Sequence, residues 1–284
     1  MILIKNRIHA GFFSNFNAVI GWYWYSIKTG IPVYIHWDGL ENQNIFDKFF
    51  DQKYQYSPHQ YEYDANFQSS PLYTDQIKEL FRTDIGESLY NYDNGWFFCQ
   101  GKVYTDPALS KLRHLYNKVY NHSLKLRTQV IPVCNIPPKT LGVNYRFINH
   151  YFTTDGKMTP FKNLMSLEEY NNMYLQQMES TFENGKYEKI YIASSQRIFF
   201  EKCLNKFKDK MIFIPLNRLE EDRCEIHRNV PLKKEYTDVL SEVNNLSRCE
   251  NLLVCPSNIT FALLYMNPNI NYEIFNFLKE TYTG

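Results

Sequence analysis

Apolar positions along this chain follow two alternating rhythms. Met1 to Lys5 is a short apolar run that reads as a strand. After a loop at Gly11-Phe12-Phe13-Ser14-Asn15 the spacing becomes helical, with Val19, Ile20, Tyr23 and Ile27 on one stripe. The pattern predicts a helix from about Asn15 to Thr29, capped by Ser14 or Asn15. Lys28 suits its carboxyl end, and Gly30 and Pro32 stop it. Val33 to Trp37, mostly β-branched and aromatic, follows as a second buried strand. Strand, helix and strand in quick succession form a βαβ unit, which implies a parallel sheet. From Gly39 to Gln100 the rhythm is weaker, with short helical patterns at Asn44 to Phe50 and Thr74 to Arg82. A clearer helix opens at Asp106, with Pro107 in its first turn, and carries Leu109, Leu112, Tyr116 and Val119 on one face.

Ile136-Pro137-Pro138-Lys139 is the strongest linker signal, because paired prolines continue neither a helix nor a central strand. Beyond it the alternation restarts. Strands are predicted at Thr140 to Asn144, Lys189 to Ala193, Met211 to Ile214 and Asn251 to Cys255. Helices are predicted at Ser166 to Asn184, Gln196 to Phe207, Tyr236 to Leu246 and Asn258 to Tyr265. Ser166 and Glu169 have capping-box spacing at the first of these. Repeated strand-then-helix alternation is the pattern of a doubly wound sheet. The expected fold is α/β, with two Rossmann-like domains facing across a cleft, over residues 1–136 and 137–284.

Composition narrows the class. Apolar residues make up 44% of the 284 positions and aromatic residues 17%, enough to exclude a disordered chain. Thirty-one basic against thirty acidic residues give a net charge of +1, so no global field would recruit nucleic acid or an acidic membrane. Apolar runs such as Leu252 to Cys255 and Phe261 to Met266 fall far short of the ~20 residues that span a bilayer. Met1 to Ala10 mixes apolar with charged residues and does not read as a signal peptide. The six cysteines, Cys99, Cys134, Cys203, Cys224, Cys249 and Cys255, show no zinc spacing and read as free thiols. A soluble, cytoplasmic protein is the expectation.

Ligands of open parallel sheets bind beyond the carboxyl ends of the strands, so those loops are where chemistry is sought. The strand after the linker runs out at Asn144-Tyr145-Arg146, and an arginine there offers a planar fork suited to a diphosphate; alternatively it makes a surface salt bridge. Ser194-Ser195-Gln196 and Ser257-Asn258 each lie where a strand passes into a helix. Hydroxyl groups and unpaired backbone N–H groups at such a start suit phosphate or ribose, and serve equally as ordinary caps. Together the three loops favour a nucleotide site. There is no Walker loop, no G-x-G-x-x-G and no H-E-x-x-H, which counts against a nicotinamide or flavin enzyme. Asp-x-Asp is absent too, so no obligate metal is expected.

The order of these pieces resembles the fucosyltransferase-like superfamily, which contains the α1,2-, α1,6- and protein O-fucosyltransferases. Gly11-Phe12-Phe13-Ser14-Asn15 looks like its N-terminal Gly-x-x-(Asn/Gln) loop with the polar residue displaced by one, and Leu141 to Arg146 looks like its (I/V)-G-V-H-x-R strand. Ser166 to Tyr170 with Ile190 to Ser195 is similar to its E-E-Y helix and Y-L-A-(T/S)-D strand. Asp238-Val239-Leu240 through Glu250 to Ser257-Asn258 looks like its closing block. The resemblance implies a GT-B-like, inverting, metal-independent glycosyltransferase, with an acceptor-side domain first and a nucleotide-sugar domain second. It implies that Arg146 holds the donor diphosphate, that Ser257 and Asn258 bind phosphate, and that Ser195 reads base or ribose, with Gly11, Asn15, Asn144, Ser194 and Gln196 completing the donor site. GDP-fucose is the implied donor and a carbohydrate the implied acceptor, with no further cofactor. The family's His before the arginine is Asn144 here, its acidic residue is missing at Ile148-Asn149, and its Asp is Ser195. Another nucleotide sugar, or a catalytically degenerate binding protein, are the alternatives these departures leave open.

Transfer needs a base for the acceptor hydroxyl. Asp38, after the second strand, is the first candidate and Asp155 the second, with His9 and His150 behind them. Tyr54, Tyr56, Tyr61, Tyr63, Trp96 and Phe97 read either as core or as a sugar-stacking platform.

Overall fold

A computed structural model of the chain describes residues 1–7, 10–38, 43–85, 101–146, 150–152, 158–160, 165–216, 218 and 232–275. In chain order the first half contains β1 (Ile2–Lys5), α1 (Phe12–Thr29), β2 (Val33–Ile35), α2 (Phe46–Phe49), β3 (Phe50–Gln52), β4 (Tyr61–Asp64), α3 (Asp75–Ile85), α4 (Ala108–Ser123) and β5 (Leu124–Leu126). The second contains β6 (Thr140–Tyr145), β7 (His150–Phe152), β8 (Met158–Pro160), α5 (Leu167–Asn184), β9 (Lys189–Ser194), α6 (Arg197–Phe207), β10 (Met211–Ile212), α7 (Leu232–Leu246), β11 (Asn251–Val254), α8 (Asn258–Met266) and β12 (Asn271–Ile274). The strand–helix alternation expected after the linker is present.

Two parallel sheets carry the architecture. The first is three-stranded in the order β2-β1-β4, and the second five-stranded in the order β10-β9-β6-β11-β12. In the second sheet the chain starts at the centre with β6 and steps outward to β9 and β10. It then returns to the other side of β6 for β11 and β12. That reversal places a topological switch point between β6 and β11. Two edge strands, β4 and β12, were not expected from the sequence. Tyr61, Glu62 and Asp64 are exposed, as are Asn271 and Glu273, so neither segment shows the buried alternation that marks a strand.

Local chemistry explains most element ends. α5 is opened by a complete capping box: Ser166 Oγ accepts from the Glu169 N–H at 3.2 Å, and Glu169 Oε2 accepts from the Ser166 N–H at 2.8 Å. α1 ends at Gly30, whose φ of 73° suits a glycine and whose N–H donates to the Ser26 carbonyl. Its start departs from expectation. The helix begins at Phe12 with Gly11 as cap, and neither Ser14 nor Asn15 caps it. Asn15 is fully buried and holds the preceding loop, accepting from Arg7 N–H at 3.0 Å and donating to the Ala10 carbonyl at 3.0 Å. α1 is also buried nearly all round, Trp22, Tyr23 and Trp24 included, as befits a helix packed on several sides.

One hydrophobic core joins the halves. It runs from Ile2, Ile35 and Trp37 through α1 and α4 to Tyr236, Leu240, Phe261 and Tyr265 of α7 and α8. Phe12 meets Tyr236 edge-on at 4.8 Å, and Tyr116 meets Phe261 at 5.1 Å. A second core lies on the opposite face of the larger sheet, where Leu141, Val143 and Tyr145 meet Tyr170 and Tyr174 of α5 and Phe199 of α6. The intervening residues Gly142 and Asn144 point toward the first core, with Asn144 Nδ2 donating to Thr260 Oγ1 of α8 at 3.0 Å. Two of the four described middle aromatics are partly buried. Tyr63 stacks on Trp22 at 5.5 Å and Tyr54 is half-buried, whereas Tyr56 and Tyr61 are exposed. Trp96 and Phe97 lie outside the described residues. Among the described residues no helix is long and apolar enough to cross a membrane.

Candidate functional site

The candidates of the second half follow the carboxyl ends of three adjacent parallel strands, β9, β6 and β11. Arg146 follows directly on β6 and is half-buried. The strand end is held in place by Tyr170, whose hydroxyl donates to the Arg146 carbonyl at 3.1 Å, while the Cys255 N–H donates to the Asn144 carbonyl at 3.2 Å. Among the described residues no salt bridge engages the Arg146 guanidinium. Across the switch point, β11 passes through Cys255 and Pro256 into α8. Ser257 caps that helix, its hydroxyl accepting from the Thr260 N–H at 3.1 Å. Arg146 therefore follows the carboxyl end of β6, and the α8 amino end follows the carboxyl end of its parallel neighbour β11.

The remaining second-half candidates divide by role. Ser194 is buried and its hydroxyl closes a local turn, accepting from the Gln196 N–H at 3.1 Å. Gln196 is buried too, with its side-chain carbonyl accepting from the Tyr145 hydroxyl at 3.2 Å. Ser195 between them is half-buried, and its hydroxyl meets no partner among the described residues. Asn144 is directed at Thr260 and so ties β6 to α8. The four described cysteines are free thiols. Burial pushes the Cys249 thiol up to about 12 and raises that of Cys255, which suits packing and not nucleophilic chemistry. Cys99 and Cys224 lie outside the described residues. Among the described residues no group of three or more His, Cys, Asp or Glu is placed to hold a metal ion.

The first half meets α8 through α1. Asn17 Nδ2 donates to the carbonyl and side-chain oxygen of Asn258 at 3.1 and 3.0 Å, and the Tyr265 hydroxyl donates to Asn17 Oδ1 at 3.1 Å. Tyr104 adds a bond from its hydroxyl to the Ser257 carbonyl at 2.9 Å. The α8 amino end is thus fixed by the first half as much as by its own sheet. Gly11 lies at the head of α1 as its cap, where its carbonyl accepts from Ser14 and Asn15.

Asp38 stands at the carboxyl edge of the first sheet, largely exposed, with Lys5 Nζ at 3.1 Å and His36 Nε2 at 3.4 Å. His36 was missed by sequence reasoning. Burial, helped by Lys5, lowers its pKa against the opposing pull of Asp38, so the imidazole is neutral and able to accept a proton near neutral pH. The available signal was its position two residues before Asp38 at a strand end, where both side chains share a face. Asp155 and His9 lie outside the described residues, and for His150 only its place in β7 is described. A second residue missed was Arg7, two residues beyond β1, which lines a cleft with Ser14, Asn17, Gln68 and Asn258.

No protein-family model matches the chain, and no curated protein matches it. Solved structures do. The α-1,6-fucosyltransferase NodZ, co-crystallised with GDP, aligns over 93% of this chain and 92% of its own with a TM-score of 0.50 and 13% identity. Another structure of fucosyltransferase NodZ, from Bradyrhizobium, aligns over 94% and 93% with the same score and identity. The E. coli heptosyltransferase WaaC with ADP-2-deoxy-2-fluoro heptose aligns over 96% and 88%, with a TM-score of 0.35 and 7% identity. Likeness to NodZ at this identity concerns the fold, and it covers nearly all of both chains: this chain shares the fold of that fucosyltransferase.

Proposed function

We propose that this chain is an inverting, metal-independent glycosyltransferase that moves a sugar, fucose from GDP-fucose, onto a hydroxyl of a glycan acceptor. The observation that carries the reading is the topological switch point between β6 and β11, with Arg146 following the first strand and the α8 amino end following the second. The nucleotide diphosphate binds there. Arg146 neutralises the charge that grows on it as the bond to the sugar breaks, and Ser257 and Asn258 hold the phosphate oxygens. Ser195 contacts base or ribose. That NodZ was co-crystallised with GDP supports a guanine nucleotide as the leaving group. Residues 137–284 form the donor side and residues 1–136 the acceptor side.

The acceptor oxygen attacks the sugar carbon from the face opposite the departing diphosphate, which inverts the configuration. Its proton passes to a base at the carboxyl edge of the first sheet. Asp38 serves there with His36 beside it, and the neutral imidazole takes the proton while the carboxylate stabilises the cation formed.

Transfer from GDP-fucose should fall by at least about 100-fold in Arg146→Ala, as for loss of a group that stabilises transition-state charge. Circular dichroism of the variant should match wild type. A purified wild type that is stabilised by nucleotides yet transfers and hydrolyses nothing from any donor would instead identify a binding protein. Stabilisation by UDP or dTDP but not GDP would overturn the fucose donor and leave the fold standing.

A further inference from the structure

Arg7, just beyond β1, is a half-buried cation whose fork is held along one edge only. Its Nε donates to Asn15 Oδ1 at 3.3 Å, and one terminal nitrogen donates to the Ser14 carbonyl at 3.0 Å and the Ser14 hydroxyl at 3.1 Å. The other terminal nitrogen meets no acceptor, and the guanidinium no carboxylate at ion-pairing distance, among the described residues. Asp64 is the nearest negative influence, and burial outweighs it, lowering the pKa of the guanidinium. An arginine pinned by two neighbours, desolvated and with no carboxylate at ion-pairing distance among the described residues, is prepared for an anion that arrives from outside.

The cleft it lines offers more than charge. Gln68 is half-buried there with an amide that has no partner among the described residues. The Ser14 hydroxyl, which accepts from Arg7, keeps its own proton for a further acceptor. Phe67 and Tyr116, both buried in the core, form its apolar floor. Asn258, assigned above to the donor phosphates, lines the same cleft, so an occupant lies beside the donor.

We propose that this cleft is the acceptor subsite and that the acceptor is an acidic sugar, its carboxylate or phosphate received by Arg7. This rests on the glycosyltransferase reading, and binding can be tested without turnover. Titrations with glucuronate, glucose 6-phosphate and neutral glucose are expected to rank both anionic sugars above glucose, and their order identifies the anionic group. Arg7→Gln should weaken the preferred anionic sugar by about 10- to 100-fold, the range for bonds to a charged group, and leave glucose unchanged. Gln68→Glu breaks no bond in the described structure and places a negative charge in the cleft. It should weaken the anionic sugar similarly while the protein keeps its thermal midpoint. Equal binding of glucose and both anionic sugars would overturn the proposal. So would loss of GDP binding in Arg7→Gln without loss of acid binding, since Arg7 would then belong to the donor. Acid binding that depends on Arg7, in a protein that transfers from no donor, would leave the anion subsite standing and refute the transferase reading.

Discussion

α8 carries the proposed phosphate site at its amino end, and its carboxyl end is finished by side chains from the other half of the chain. The helix stops at Met266, and Pro268 follows two residues later. Proline has no N–H, so the Leu264 carbonyl lacks the donor that would have closed its turn. Arg113 of α4 supplies it, with Nε 3.1 Å from the Leu264 oxygen and a terminal nitrogen 2.9 Å from the Ile270 oxygen and 3.5 Å from that of Asn267. One turn along the same helix, Asn117 Nδ2 donates to the Tyr265 carbonyl at 2.7 Å. Arg113→Met keeps an apolar stem and removes charge and donors. Two well-formed bonds from a charged group amount to about 3–6 kcal/mol gross. Burial lowers the Arg113 pKa and so offsets part of this, and partial exposure screens the remainder. A net loss of about 2–4 kcal/mol is expected. Asn117→Ala should cost about 1–2 kcal/mol, and because both residues act on one helix end the double variant should depart from additivity by at least about 0.5 kcal/mol. Urea unfolding followed by tryptophan fluorescence measures this directly, since Trp22, Trp24 and Trp37 lie in the core that joins the halves. An Arg113→Met midpoint within about 0.5 kcal/mol of wild type, at unchanged slope, would show that water serves these carbonyls equally well and would refute the clamp.

Other sites give independent expectations. A Cβ on Gly142, in the central strand β6, would stand 2.6 Å from Leu252 Cδ2 and 3.0 Å from Cys249 Cβ, so Gly142→Ala should destabilise by about 1–3 kcal/mol in the same assay. An unchanged midpoint would mean that the Leu252 side chain moves aside without cost. Asn245, buried in α7, accepts from the Cys134 N–H at 2.8 Å and donates to the Pro132 carbonyl at 3.1 Å, fastening the segment that leads to Pro137 and Pro138. Asn245→Ala leaves those groups without partners and should cost about 2–3 kcal/mol; a loss below about 0.5 kcal/mol would show that the segment pairs with solvent instead. His36 has a folded pKa below its unfolded value, so the unfolded chain takes up the proton first as pH falls. Its contribution is complete above about pH 6.5 and is lost as pH drops through the lower folded pKa, so His36→Gln should flatten the acid limb of the stability curve, and parallel curves would disprove it.

What the sequence disclosed depended on how locally each feature was written. The capping box of Ser166 and Glu169 involves residues three apart, and the alternation after Pro138 is set by periodicity within each element, so both were readable. The start of α1 was misread because Gly11, Ser14 and Asn15 all serve as caps in isolation. Burial decided among them by turning Asn15 back onto Arg7 and Ala10. The loops around the switch point could be listed from the sequence, but not which first-half side chains reach them. Asn17 and Asn258 are 241 positions apart, and Tyr104 and Ser257 are 153 apart; neither pair leaves a mark in either segment. Those distant contacts bear on function. The amino end of α8 is held by Asn17 and Tyr104 and its carboxyl end by Arg113 and Asn117, while only Asn144 and the adjoining β11 tie it to its own sheet at the points described. A displacement of the first half against the second would therefore have to carry α8 with it or break bonds at both its ends. The amino end of α8 is thus coupled to the first half, so on the proposed reading occupancy of the acceptor side bears directly on the geometry of the phosphate site.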